Sequence, residues 1–437
     1  MNLLRHYAIV LVGASVIGGF ALGACTGADG LKGETGLSGP TGAQGPEGLP
    51  GPQGPAANGA DASAGFDAGN AFSGACTKPC HTFNGVVDQW RFSNHSHPQE
   101  NEIGGGSCGN CHALDGLQQR LANKSVLNPA DSGAPTNVAK GHINYRTSTG
   151  AVSEIGYAGT STIGRIHCTT CHEFNQQTDP HVTGSYAVRQ APIRVPGGVN
   201  DTAFIEKTAS GGTQPAGQSV SYRTGNICVY CHKSRKDTAF YITGSNTLSY
   251  RWGPHNGPQA DVYSGKGGYH FAGQVYGTSA HAQIPNACVD CHMQPVAENG
   301  NVPDHTMKPA LAFCKSCHTT YTGTSYDIQG GRTIVKGLMT ELEAALNTAG
   351  LLTRSETAPF AALDADDLAD GQFQLDFARS PGAAVNADRA GALYNYLIIA
   401  RSKDLGVHNP TYAKQLLFDS IVNLTGNPPV TLPTRPQ

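Results

Sequence analysis

The clearest hydrophobic pattern lies near the C-terminus. From Ile334 to Ala349, apolar residues fall at 334, 335, 338, 339, 342, 345, 346 and 349, the three-to-four spacing of one helix face. Asn386 to Arg401 reads as a second helix carrying Leu393, Leu397 and Ile398. Asn409 followed by Pro410 is a cap and first-turn pair that opens a third, to about Leu424. Upstream, Gly, Pro, Asn, Ser and Thr interrupt every long periodic run, which predicts loops and short helices. The expected fold is mainly α with much irregular loop.

The other apolar stretch runs from Tyr7 to Leu22, after the short polar stretch Arg5-His6. It is short for a spanning helix and ends in Leu22-Gly23-Ala24-Cys25, the small-residue cleavage box of bacterial lipoproteins. Residues 1–24 therefore read as a lipoprotein signal peptide, and 25–29 as a lipidated N-terminus beginning at Cys25; an uncleaved anchor or ordinary secretory cleavage nearby is the alternative. Thr26, where an Asp would favour retention in the inner membrane, points to an exported outer-membrane lipoprotein facing the periplasm or the cell surface.

Residues 30–56 repeat strictly by threes, with Gly at 30, 33, 36, 39, 42, 45, 48, 51 and 54. This is the collagen-like pattern, in which only Gly fits the axis of three polyproline-like chains. It reads either as a semi-stiff stalk about 80 Å long when extended, or as the core of a homotrimer. Residues 57–75 read as flexible linker, 76–330 as one main domain, 331–425 as a helical part and 426–437 as a tail.

Composition narrows the function. Charged residues make up 14% of the 437, net charge is −3, and no basic run suggests nucleic acid. Hydrophobic residues reach only 39% beside 56 glycines, a poor supply for a core of this size. The 13 cysteines explain what fills it. Five sets have the form Cys-x-x-Cys-His: Cys108/Cys111/His112, Cys168/Cys171/His172, Cys228/Cys231/His232, Cys288/Cys291/His292 and Cys314/Cys317/His318. A sixth, Cys76/Cys80/His81, has one extra residue between the thiols. With Cys25 lipidated, none remains for a disulfide.

A c-type haem needs two thiols for its vinyl groups and a histidine for one axial position on iron, and this motif supplies all three in one turn. One copy could be half of a zinc site; five, each with His directly after the second Cys, argue for haem. The sixth site has a disulfide or free thiols as its alternative. Six haem c groups would then load one chain, with His81, His112, His172, His232, His292 and His318 as proximal ligands, and the porphyrins rather than side chains would form the core. Motif starts at 108, 168, 228 and 288 are evenly spaced, which hints at a duplicated module.

The second axial position decides function, because a closed iron passes electrons and an open one binds substrate. Beyond His6 and the proximal six, ten of the 17 histidines remain. His142, in Gly141-His142-Ile143-Asn144, is one expected distal ligand, and His97, beside Pro98, is preferred to His95. Surface or propionate-bonding roles are the alternatives for both. His181 and His270 have no motif support, and Met293 and Met307 read as packing rather than ligands.

Four further segments carry a resemblance: Trp252-Gly-Pro-His255-Asn-Gly-Pro, Ser279-Ala-His281, Pro303-Asp-His305-Thr and Gly406-Val-His408-Asn-Pro-x-Tyr412. Their order, over residues of about 225–425, resembles the superfamily of pentahaem nitrite reductases, octahaem hydroxylamine oxidoreductases and tetrahaem relay cytochromes. The resemblance implies that His281, His305 and His408, and by extension His255, are distal ligands, and that the C-terminal helices belong to the haem scaffold. The N-terminal half is more similar to the bis-His cytochromes of extracellular conducting filaments.

Two functions follow as expectations. The leading one is electron transfer by a membrane-anchored hexahaem cytochrome, relaying to other cytochromes or a transmembrane electron conduit, with no catalytic residue. The alternative is an oxidoreductase acting on nitrite, hydroxylamine or a related small oxyanion at one open haem. Against it, nitrite reductases of that superfamily mark the catalytic haem with Lys in place of the motif His, and all six sites here keep His.

Overall fold

The computed structural model describes residues 86–96, 108–122, 141–146, 152–157, 166–173, 193–207, 216–249, 252–296, 302–353 and 384–437, with 159, 161, 163 and 377–378. The signal peptide, Cys25, the collagen-like repeat, the linker, the whole Cys76/Cys80/His81 site, His97 and His181 lie outside these residues.

The first half of the described chain is a series of short elements. They are α1 (Val86–Arg91), α2 (Gly109–His112), α3 (Gly116–Leu121), β1 (Asn144–Arg146), β2 (Val152–Glu154), α4 (Cys168–Cys171), β3 (Ala203–Lys207) and β4 (Ala216–Val220). β1 pairs antiparallel with β2, with Tyr145 opposite Ser153, and β3 with β4, with Ile205 opposite Gln218. After a 3-10 segment, Arg223–Tyr230, come α5 (Thr238–Tyr241), α6 (Gln259–Tyr263), α7 (Cys288–His292) and α8 (Leu311–Cys317). All are too short to be stable alone, so tertiary contacts must hold them. Ile205, Tyr222, Val229, Ala260 and Tyr263 form a small core under the β3–β4 hairpin.

Three long helices close the chain: α9 (Gly331–Thr348), α10 (Ala387–Ser402) and α11 (Pro410–Thr425). They fall where the helical spacing places them. The Asn386 side chain accepts from Arg389 N and starts α10; the Asn409 side chain accepts from Tyr412 N and starts α11. Both helices end at left-handed residues, Lys403 and Gly426. α10 is buried on nearly all sides, which explains its apolar content all round rather than on one stripe.

Leu338, Leu342 and Leu346 of α9, Leu393, Leu397 and Ile398 of α10, and Leu416 and Leu417 of α11 interlock in one core, joined by Trp252 and Phe271 from the upstream loops. This corrects the expectation that porphyrins alone make the core: the C-terminal part carries a side-chain core of its own. Among the described residues, no helix is long and apolar enough to cross a membrane.

Candidate haem sites

Each described Cys-x-x-Cys-His motif coils through about one turn. The backbone amide of the motif histidine returns to the first cysteine's carbonyl at His172–Cys168 (2.8 Å), His232–Cys228 (3.0 Å) and His318–Cys314 (2.9 Å). α4, α7 and α8 are built around these turns, and the 3-10 segment runs into the Cys228 motif. The turn brings two thiols and one imidazole into a single local group.

Opposite five of these imidazoles stands a second one from a distant part of the chain. Ring centroids are 6.3 Å apart for His112 and His255, 6.1 Å for His172 and His305, and 5.9 Å for His232 and His95. They are 6.1 Å apart for both His292 and His408, and His318 and His281. Two imidazoles trans on one metal put their centroids about 6.2 Å apart, from a metal–nitrogen bond of about 2.0 Å and about 1.1 Å from that nitrogen to the ring centre on each side. The five pairs have that spacing, so these residues fit a haem iron ligated by histidine on both faces.

The ring nitrogens are also sorted. Nδ1 of His255 meets Asn256 O at 2.7 Å, that of His281 meets Val407 O at 2.6 Å, and that of His305 meets Pro303 O at 2.7 Å. His292 Nδ1 meets Met307 O at 2.7 Å and His232 Nδ1 meets Gln259 Oε1 at 3.0 Å. Holding Nδ1 as a donor leaves Nε2 bare as the ligating atom and fixes the plane of the ring. Met307 takes part through its carbonyl, at a left-handed backbone position (φ 58°). Burial lowers the pKa of His95, His255 and His292 to about 4 and pushes His112, His232 and His305 down as well. These imidazoles are therefore neutral at physiological pH, the form that binds metal.

His408 differs. Its Nδ1 lies 2.8 Å from Asp404 Oδ2. Burial pushes this imidazole down, but the Asp404 carboxylate outweighs it and the net shift is upward.

His142 shares the Nδ1 arrangement, with Glu206 Oε1 at 3.2 Å. Glu206 also accepts from Ile143 N at 2.9 Å and Asn144 N at 2.9 Å, and pairs with Lys233 at 3.2 Å. Burial would raise the Glu206 carboxyl, but Lys233, His142 and the Ile143 amide hold it down at about 2. Lys207 and Asp261 form a second buried pair beside this one. The His142 ring packs on Phe204, centroids 5.4 Å apart.

Other histidines have packing roles. His270 stacks on Tyr276 at 4.2 Å and its Nε2 lies 2.9 Å from the Tyr412 hydroxyl. His167 precedes α4 and sits edge-on to Trp90 at 4.9 Å.

His95 is the ligand candidate that sequence reasoning passed over. Its backbone carbonyl accepts from Ile166 N at 3.0 Å, which ties the short helix Asn94–Ser96 to the third motif. That long-range bond leaves no local signal to separate His95 from His97.

Among the described motif cysteines, Cys111, Cys168, Cys171, Cys228, Cys231, Cys288, Cys291, Cys314 and Cys317 are free thiols. Cys108 is disulfide-bonded, which departs from the expectation that no cysteine is left for a disulfide. The physical reason is exclusive bonding: a sulfur in a disulfide cannot also form a thioether. Among the described motifs, the last lies nearest solvent, with Cys317 exposed and a cleft of about 480 Å³ lined by Cys317, His318, Tyr321 and Asp327.

Repeated thiol–imidazole turns, each facing a second histidine, are the arrangement expected of a multihaem c-type cytochrome. Residues 270–426 match the cytochrome c552 family. The chain is 22% identical over 350 residues to the C-type polyheme cytochrome OmcB of Geobacter sulfurreducens, covering 72% of this chain and 43% of that protein. It is 22% identical over 348 residues to OmcC of the same organism, covering 72% and 42%. The chain thus spans under half the length of these curated relatives. Among solved structures, the outer cell wall cytochrome OcwA aligns with 80% of this chain and 51% of its own at 18% identity, with a TM-score of 0.39.

Proposed function

We propose that the protein is a hexahaem electron carrier, anchored through lipidated Cys25 to the outer membrane. The observation that carries this reading is the pairing of five motif histidines with five distant ones at 5.9–6.3 Å. A haem iron held in such a pair has both axial positions filled, so it exchanges electrons without binding substrate. The sixth haem is assigned to Cys76, Cys80 and His81, with His142 as its distal ligand, because the His142 Nδ1 is occupied by Glu206 as in the other sites. Cys108 is assigned to a thioether, since the facing of His112 and His255 marks a haem that needs both thiols of its motif.

The cleft beside Cys317 and His318 makes the last haem the natural point of exchange with a partner. The partner class is another cytochrome or a transmembrane electron conduit. The collagen-like segment would hold the cytochrome away from the membrane, as a stalk or within a homotrimer.

Low-temperature EPR of the oxidised holoprotein, with haem quantified, tests the reading. Six low-spin haems, unchanged by nitrite or hydroxylamine, are expected. A high-spin haem that shifts on adding either ligand would replace the carrier with an enzyme.

A further inference from the structure

The distal histidines are not equivalent. His255, His281 and His305 give their Nδ1 protons to backbone carbonyls, which are neutral. His408 faces a carboxylate, Asp404, at 2.8 Å.

The loop between α10 and α11 is built to aim that carboxylate. Lys403, Leu405 and Gly406 have φ of 56°, 49° and 78°, a left-handed path that costs energy at the two non-glycine positions. The turn curls the backbone around Asp404, whose side chain accepts from His408 N at 2.8 Å, Gly406 N at 3.2 Å and the Ser402 hydroxyl. Its side chain is 6% exposed. A buried carboxylate fixed by so many donors cannot swing away from the ring.

We propose that Asp404 is a positioning residue whose buried negative charge, held 2.8 Å from the His408 ring, lowers the reduction potential of the haem between His292 and His408. The proposal rests on the haem reading given above. A buried negative charge beside the ring, in a low-dielectric setting, stabilises ferric over ferrous iron. Glu206 would act likewise through His142, but it also meets Lys233, whose cation opposes the effect.

The test uses the holoprotein and its Asp404→Asn variant, which keeps an acceptor and removes the charge. Haem content comes first, by pyridine haemochrome and intact mass. An EPR-monitored redox titration then resolves the individual haems. The expected result is full haem content, one potential shifted upward with altered g values, and the rest unmoved. Asp404→Glu is expected to keep the wild-type potential. Should Asp404→Asn lose haem, Asp404→Ser, whose hydroxyl can still cap the loop amides, carries the same comparison. A fully loaded neutral variant with every potential and g value unchanged overturns the proposal. Failure of the haem reading looks different: wild type itself would lack haems, or His408→Ala would leave every low-spin signal intact.

Discussion

His95 and His232 face each other with ring centroids 5.9 Å apart and planes at 68°, although one stands before the second motif and the other closes the fourth. The pairing makes His95 the distal ligand candidate for the fourth haem. His95→Ala is expected to convert one haem to high spin and let it bind cyanide or carbon monoxide, while His97→Ala leaves the spectrum unchanged. The reverse result would assign the ligand to His97.

Ring-plane angles should be visible in the EPR of the oxidised protein. Near-parallel imidazoles split the iron π orbitals in concert and give rhombic signals; near-perpendicular ones cancel each other and give a large, isolated g value. His292/His408 at 22° and His172/His305 at 33° are expected to be rhombic. His281/His318 at 89° and His95/His232 at 68° should be of the large-g type. His281→Ala should remove one large-g signal and spare the rhombic ones.

Acid should weaken the fold through Glu206. Its folded pKa of about 2 lies below the ordinary carboxyl value of 4.5. The carboxylate therefore contributes stability above pH 4.5, and that contribution is lost as pH falls from there toward 2. Thermal melts of the holoprotein across this window should fall more steeply for wild type than for Glu206→Gln. Parallel curves would show that Glu206 carries no such linkage.

Haem stoichiometry decides the role of Cys108. Intact mass of the holoprotein should show six haems, and Cys108→Ala should still carry the haem on a single thioether at Cys111. Loss of one disulfide's two-hydrogen mass difference, with haem attachment unaltered, would instead assign Cys108 to a cystine.

The C-terminal core should behave as an ordinary one. Leu397 of α10 is 0% exposed in the C-terminal core, so Leu397→Ala should cost about 2–5 kcal/mol in denaturant unfolding. Haem content should hold, since the substitution removes packing and no ligand.

The thiol–imidazole groups were legible because each is made by one turn of chain, and a turn is a local object. The three long helices were legible for the same reason: period, cap and stop signals all lie within a few residues of each other, as Asn409, Pro410 and Gly426 do in α11. Sequence alone thus determined what kind of groups this chain would gather and where its helices lie. Which imidazole faces which was decided by tertiary structure alone. His305 reaches back to His172, His255 to His112, and His408 to His292. Such pairings depend on how loops cross in space, and neither periodicity nor spacing encodes a crossing. The Asp404–His408 contact is local, four residues apart, but it needs the left-handed loop that turns the carboxylate onto the ring.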